Sequence, residues 1–169
     1  MRLFAGTFIG KNKAAAKDYR FRMSGQRGYQ DYLYDNIYLG RTETEGILAS
    51  QFTETDGAFK FYSPVGQTSK WIAALNLKSS LGNAKIPLNL YADIGTTEYD
   101  GIFKDKLLYD AGVCLSFPKN VFEIYFPLFI CQDFTNYKTA NDLKYQETIR
   151  FTLNINLLNP FDLINKFKL

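Results

Sequence analysis

Residues 107–117 read LLYDAGVCLSF. Leu107, Tyr109, Ala111, Val113, Leu115 and Phe117 hold the odd positions, and Asp110, Gly112, Cys114 and Ser116 the even ones. Successive side chains of an extended chain point to opposite sides, so the pattern predicts a strand with one apolar and one polar face. Which face meets a protein interior, and which meets the surroundings, decides what kind of β protein this is.

The same design recurs on both sides of that strand. Upstream, residues 86–95 (IPLNLYADIG) set Ile86, Leu88, Leu90, Ala92 and Ile94 against Asn89, Tyr91 and Asp93. Residues 69–78 (SKWIAALNLK) set Trp71, Ala73, Leu75 and Leu77 against Lys70, Ala74, Asn76 and Lys78. Downstream, residues 121–130 (VFEIYFPLFI) place Phe122, Ile124, Phe126, Leu128 and Ile130 opposite a side that carries Glu123. Pro127 cannot donate to a ladder, so this strand is expected to be bent, bulged or at an edge near its end. Residues 147–161 (ETIRFTLNINLLNPF) alternate Ile149, Phe151, Leu153, Ile155 and Leu157 with Thr148, Arg150, Thr152, Asn154 and Asn156.

Further strands are expected at RLFAGTFI (2–9), YRFRM (19–23), GYQDYLYDNIYLGR (28–41), GILASQFT (46–53) and GAFKFY (57–62), the last two separated by the turn-forming ETDG. The stretch 133–146 reads as a polar loop. In the tail, Asn159 and Pro160 precede Phe161, Ile164 and Phe167 at helical spacing, which predicts a short amphipathic helix. The expected organisation is an all-β, antiparallel up-and-down meander of about ten strands over 1–158, followed by a helix over 159–169.

Composition narrows the functions. The 20 basic and 17 acidic residues are interspersed, without the basic run that a nucleic-acid surface needs. No histidine is present, which removes Ser-His and Cys-His nucleophile arrangements and the common zinc ligand sets. Cys114 and Cys131 have no metal-type spacing and read as ordinary small residues. Gly6 and Gly10 in LFAGTFIGK lack the ending of a phosphate loop. No cofactor and no metal are therefore expected. Mid-strand Asp93, Asp110 and Glu123, with Arg150, read as a structural charge network along the polar face, acid–base catalysis being the alternative. The Tyr29, Tyr32, Tyr34 and Tyr38 cluster reads as interfacial or packing tyrosine, with stacking on sugars or bases as the alternative.

No apolar run approaches the length of a membrane-spanning helix, so any crossing would be made by strands. The N-terminus is already alternating strand and lacks the features of a signal peptide, which fits either a cytosolic protein or a piece of a longer one. With a mean hydropathy of -0.21, both a membrane barrel and a soluble one remain open.

The blocks RLFAGTFI, GYQDYLYDNIYLGRTETEG, PLNLYADIG, LLYDAGVCLSF, EIYFPLF and IRFTLNINLLNPFDLINKFKL resemble, in this order, the C-terminal end of long aminopeptidase-N-type gluzincin metallopeptidases of Gram-negative bacteria. In that family a zinc peptidase region precedes a strand-rich segment that looks like an outer-membrane β-barrel. The resemblance implies the terminal strands of a larger exported protein, a membrane anchor without catalysis of its own. No zinc-binding motif is present in this chain to be carried over. The expected partners are outer-membrane lipid and either upstream strands or a partner chain. In this reading Leu90, Ile94, Val113, Ile124, Phe126, Phe151, Leu153 and Ile155 face lipid. The alternative is a soluble, cytoplasmic lipocalin-like barrel binding an apolar ligand in a Phe-rich interior.

Overall fold

The computed structural model describes residues 1–9, 19–27, 38–81, 87–98, 107–117 and 120–157. Its elements are β1 (Arg2–Thr7), β2 (Phe21–Arg22), α1 (Gly46–Gln51), β3 (Gln67–Thr68), β4 (Trp71–Ser80), β5 (Leu88–Thr97), β6 (Leu108–Phe117), β7 (Phe122–Ile130), α2 (Gln132–Ala140), α3 (Tyr145–Thr148) and β8 (Arg150–Leu153), closed by a 3-10 turn at Ile155–Leu157. Six strands form one antiparallel sheet in the order β1-β4-β5-β6-β7-β8. From β4 onward this is the expected meander, each strand pairing with the next in sequence. The sheet curls into a half-barrel.

Described residues between β1 and β4 pack against the inner face of that curl. Phe21, Met23, Phe59, Phe61 and Val65 from this excursion pack with Ile72 of β4, Leu108 of β6, and Cys131 and Phe134 at the start of α2. Phe61 stacks on Phe134 with ring centres 5.1 Å apart, and Phe59 meets the same ring edge-on at 6.1 Å. This aromatic plug is where the larger hydrophobic cluster sits.

A bulge re-aims the end of β7. The β6–β7 register shifts between Ala111 and Gly112, where Gly112 pairs with Pro127 and Ala111 with Phe129, leaving Leu128 as the extra residue. The strand anticipates this at both ends of the contact. Pro127 has no N–H to lose from the ladder, and a Cβ on Gly112 would stand 2.0 Å from the Phe126 carbonyl oxygen.

Several sequence expectations are corrected. GILASQFT is α1 followed by a single parallel bridge between Phe52 and Phe151, because Gly46 turns the chain at φ 74° and the residues after it are mostly good helix formers. GAFKFY keeps its alternation but makes no ladder: Gly57 and Ala58 take positive φ, and the Lys60 and Phe61 N–H groups bond carboxylates instead of a strand. The polar loop at 133–146 is instead largely helical: α2 runs into it from Gln132 to Ala140, and α3 begins at Tyr145, where the Glu147 carboxylate accepts the Lys144 N–H at 2.7 Å. The final strand shrinks to Arg150–Leu153, after which Asn154 N–H bonds Val121 O and the chain tightens into the 3-10 turn. Ile155 therefore leaves the sheet instead of extending its apolar face. YRFRM contributes only Phe21 and Arg22 to a strand. Eight strands fall among the described residues. Most of GYQDYLYDNIYLGR, including Tyr29, Tyr32 and Tyr34, and the expected helix over 159–169 lie outside the described residues.

Candidate functional site

The two faces of the half-barrel carry different side chains. Outward positions are Trp71, Ala73, Leu75, Leu77 and Ser79 on β4; Leu88, Leu90, Ala92, Ile94 and Thr96 on β5; Tyr109, Ala111, Val113, Leu115 and Phe117 on β6; and Phe122, Ile124 and Phe126 on β7. None of these carries a charge. Leu90 is 45% exposed, and the bulge presents Leu128 at 54% and Phe129 at 68%. The other sheet residues read from sequence as lipid-facing, Ile94, Val113, Ile124, Phe126, Phe151 and Leu153, lie half-buried on this same side.

On β5 to β8 the inward positions hold the polar alternates and are mostly buried, whereas on β4 they run from buried Ile72 to exposed Lys78. Asp93, Asp110, Glu123, Arg150, Thr152 and Ser116 are each at most 5% exposed. Asp93 and Asp110 stand opposite each other across the β5–β6 ladder. Asp93 Oδ2 accepts the Lys60 N–H at 3.3 Å, its Oδ1 accepts Asn76 Nδ2–H at 2.8 Å, and Asp110 Oδ2 accepts the Phe61 N–H. Two consecutive backbone donors of the plug, which have no neighbouring strand, thus find acceptors on the sheet.

Glu123 is the second centre. Its Oε1 accepts Lys78 Nζ at 2.7 Å and Ser116 Oγ at 3.2 Å, while its Oε2 accepts the Tyr125 hydroxyl at 2.6 Å. Lys78 belongs to β4 and Glu123 to β7, with two strands between them. Strands spaced about 4.8 Å apart would hold these Cα positions too far apart on a flat sheet, so the direct ion pair measures how strongly the inner face curls on itself. Lys60, 4% exposed, donates from Nζ to Gly57 O at 2.5 Å and Ala58 O at 3.1 Å, and lies 4.8 Å from the centre of the Tyr125 ring. A cavity of about 80 Å³ remains, with Lys60, Asn76, Lys78, Asp93 and Tyr125 among its lining and Met1 and Leu77 on its apolar part.

The four charged residues expected to form one network are divided in space. Asp93 and Asp110 bind the plug, Glu123 pairs with Lys78, and Arg150 donates to the Ser50 carbonyl with its guanidinium 5.4 Å from the Tyr62 ring centre. Lys60 and Lys78, which complete these centres, were not singled out in the sequence. Lys78 stood in the polar alternation of its strand, so the pattern carried its signal; Lys60 sits in a segment whose strand-like alternation hid its role. Cys114 and Cys131 are free, buried thiols. Among the described residues no three His, Cys, Asp or Glu side chains gather as metal ligands, and no helix is long and apolar enough to cross a membrane.

What fold and site define together is a curled antiparallel half-barrel with uncharged outward side chains on β4 to β7 and, on its inner face, buried charges beside an aromatic cluster of the same chain. No family model, curated protein or solved structure matches this sequence.

Proposed function

We propose that this chain is part of an outer-membrane-type β-barrel that anchors the polypeptide to which it belongs, with its interior plugged instead of open as a pore. The observation that carries the reading is the sorting of side chains: every buried charge of the sheet points inward, and the outward alternates of β4 to β7 are uncharged. Lipid accepts the apolar face at no cost, whereas water does not.

Dimensions support the same reading. β4, β5 and β6 have 10 residues each and β7 has 9, the length at which a tilted strand crosses the hydrocarbon layer, about 9–11 residues. Outward aromatics stand at both ends of the strands: Trp71, Tyr109 and Phe129 toward one, Phe117 and its partner Phe122 toward the other. Such pairs of girdles mark the two interfaces of membrane barrels. The resemblance to the barrel-like region of long peptidases makes a peptidase region the candidate for what is anchored, and the carboxylates are read as structural. A lipocalin-like calyx would need the apolar alternates inside and an open interior, the place that Phe59, Phe61 and Phe134 fill.

Trp71, the single tryptophan, tests this. After reconstitution into vesicles its emission should shift to the blue and be quenched by brominated acyl chains while iodide leaves it unaffected. Quenching by iodide with no effect of brominated lipid would overturn the assignment.

A further inference from the structure

The two edges of the sheet are not equivalent. At β8, Phe52 bridges Phe151 and the Thr53 N–H donates to Phe151 O at 3.0 Å, so the excursion occupies that edge. At β1 no described strand lies beyond the pairing with β4. Phe8 N–H bonds Lys70 O in the same register that pairs Arg2, Phe4 and Gly6 with Asn76, Ala74 and Ile72. Ladder bonds alternate in direction along an antiparallel strand, so Leu3, Ala5 and Thr7 turn their N–H and C=O groups to the open side. Among the described residues this edge has none of the usual protection. It holds no proline, bulge or lysine, and its one charge, Arg2, is tied to the Asp56 carbonyl.

We infer that β1 is a dimerisation edge, and that its occupant is β1 of a second copy of this chain. Resting on the membrane reading above, the argument is that backbone groups bare to lipid must be paired. Among contacts between copies of this chain, the asymmetry of the edges selects one. A head-to-tail contact of β1 with β8 of another copy is blocked by Phe52 and Thr53, which leaves the isologous, self-closing contact. An antiparallel pair of identical strands also fixes its own register. Outward Leu3, Ala5 and Thr7 must meet outward residues to keep the apolar face continuous, and the register centred on Ala5 alone satisfies all three, pairing Leu3 with Thr7 and Ala5 with its own copy. In it Phe4 falls opposite Gly6, whose inner side is covered by the Phe21 ring, so the contact joins the aromatic groups of the two interiors.

The test uses the whole chain folded in detergent, with the buried native thiols in place. Ala5→Cys brings two sulfurs to a pair of Cα atoms about 5.5 Å apart, within reach of a disulfide. Oxidation should convert this variant to a species of twice 19.4 kDa, while Leu90→Cys, outward but mid-sheet, and the unsubstituted chain stay uncrosslinked. Ala5→Pro removes an N–H that points away from β4, so it should leave the intrachain ladder and the circular dichroism intact and sediment as a monomer where the unsubstituted chain sediments as a dimer. A monomeric unsubstituted chain overturns the proposal, as does a dimer that Ala5→Pro leaves intact or that crosslinks equally at position 90. Crosslinking at position 5 with iodide-accessible Trp71 keeps the dimer and rejects the membrane; lipid-quenched Trp71 in a monomer does the reverse.

Discussion

Asp93 and Asp110 face one another across β5 and β6, and between them they receive the N–H groups of two consecutive residues, Lys60 and Phe61. One cross-strand pair thereby fixes the register of the plug against the sheet. Asp110→Leu leaves the Phe61 N–H buried without an acceptor and should cost about 1–3 kcal/mol. Asp110→Asn keeps a carbonyl oxygen in place and should cost less. Denaturant midpoints at constant slope measure both, and a leucine variant as stable as the unsubstituted chain would show that the pair does not hold the plug.

Gly112 permits the β7 bulge. Gly112→Ala drives a Cβ into a backbone carbonyl that cannot move without breaking the ladder, and should destabilise by about 3 kcal/mol or more. At Gly95 the nearest atom to a new Cβ is the Met23 sulfur at 2.7 Å, the end of a flexible side chain. Gly95→Ala should therefore cost less than half as much. Equal losses would argue against the bulge as the sensitive feature.

The strands that survived from sequence to structure are those in which alternation was backed by a partner on each side. β5, β6 and β7 kept their faces as read, with Asp93, Asp110 and Glu123 inward and Leu90, Val113 and Phe126 outward, because a one-residue slip would have reversed every side chain. Pro127 marked its bulge correctly. Alternation misled where no partner strand was at hand: Phe59 and Phe61 alternate because both enter one aromatic cluster, and Ile155 and Leu157 alternate beyond the last ladder bond. In 133–146 the helices were hidden by Asn, Thr and Asp, which favour caps and turns, and Phe134, with half-buried Tyr137 against the same cluster, anchors α2 in the core. That Lys78 would meet Glu123 across two strands was not readable, since it depends on the curl of the sheet and not on any local pattern.

Tyr38 lies outside the sheet, buried, and its hydroxyl donates to the Gln26 carbonyl at 2.7 Å. Burial, the largest cause, pushes its pKa up from the ordinary 10.0 to about 12. The neutral form is favoured by folding, so its contribution is complete below pH about 10, where the unfolded tyrosine also keeps its proton, and is lost as pH rises through about 12. Tyr38→Phe should flatten the loss of stability between those two values. An alkaline slope that is unchanged by the substitution would assign that loss to other groups.

Ala92 sits near the middle of β5, outward, opposite Ala111. Ala92→Arg should cost about 2–4 kcal/mol in vesicles if that position lies at the bilayer midplane. On a sheet facing water the same change stays within about 0.5 kcal/mol, and denaturation from vesicles separates the two values.

The most direct measurement places a single reactive thiol on the outer face. Cys114 is 0% and Cys131 1% exposed, so both stay silent in the folded protein, and Val113→Cys adds one outward reporter mid-strand without moving the backbone. With lipid around the barrel, the thiol at position 113 reacts with a lipid-soluble maleimide in vesicles and resists a charged, impermeant one. Rapid reaction with the charged reagent in the presence of vesicles, or silence to both reagents until unfolding, would contradict the lipid-facing assignment of this surface.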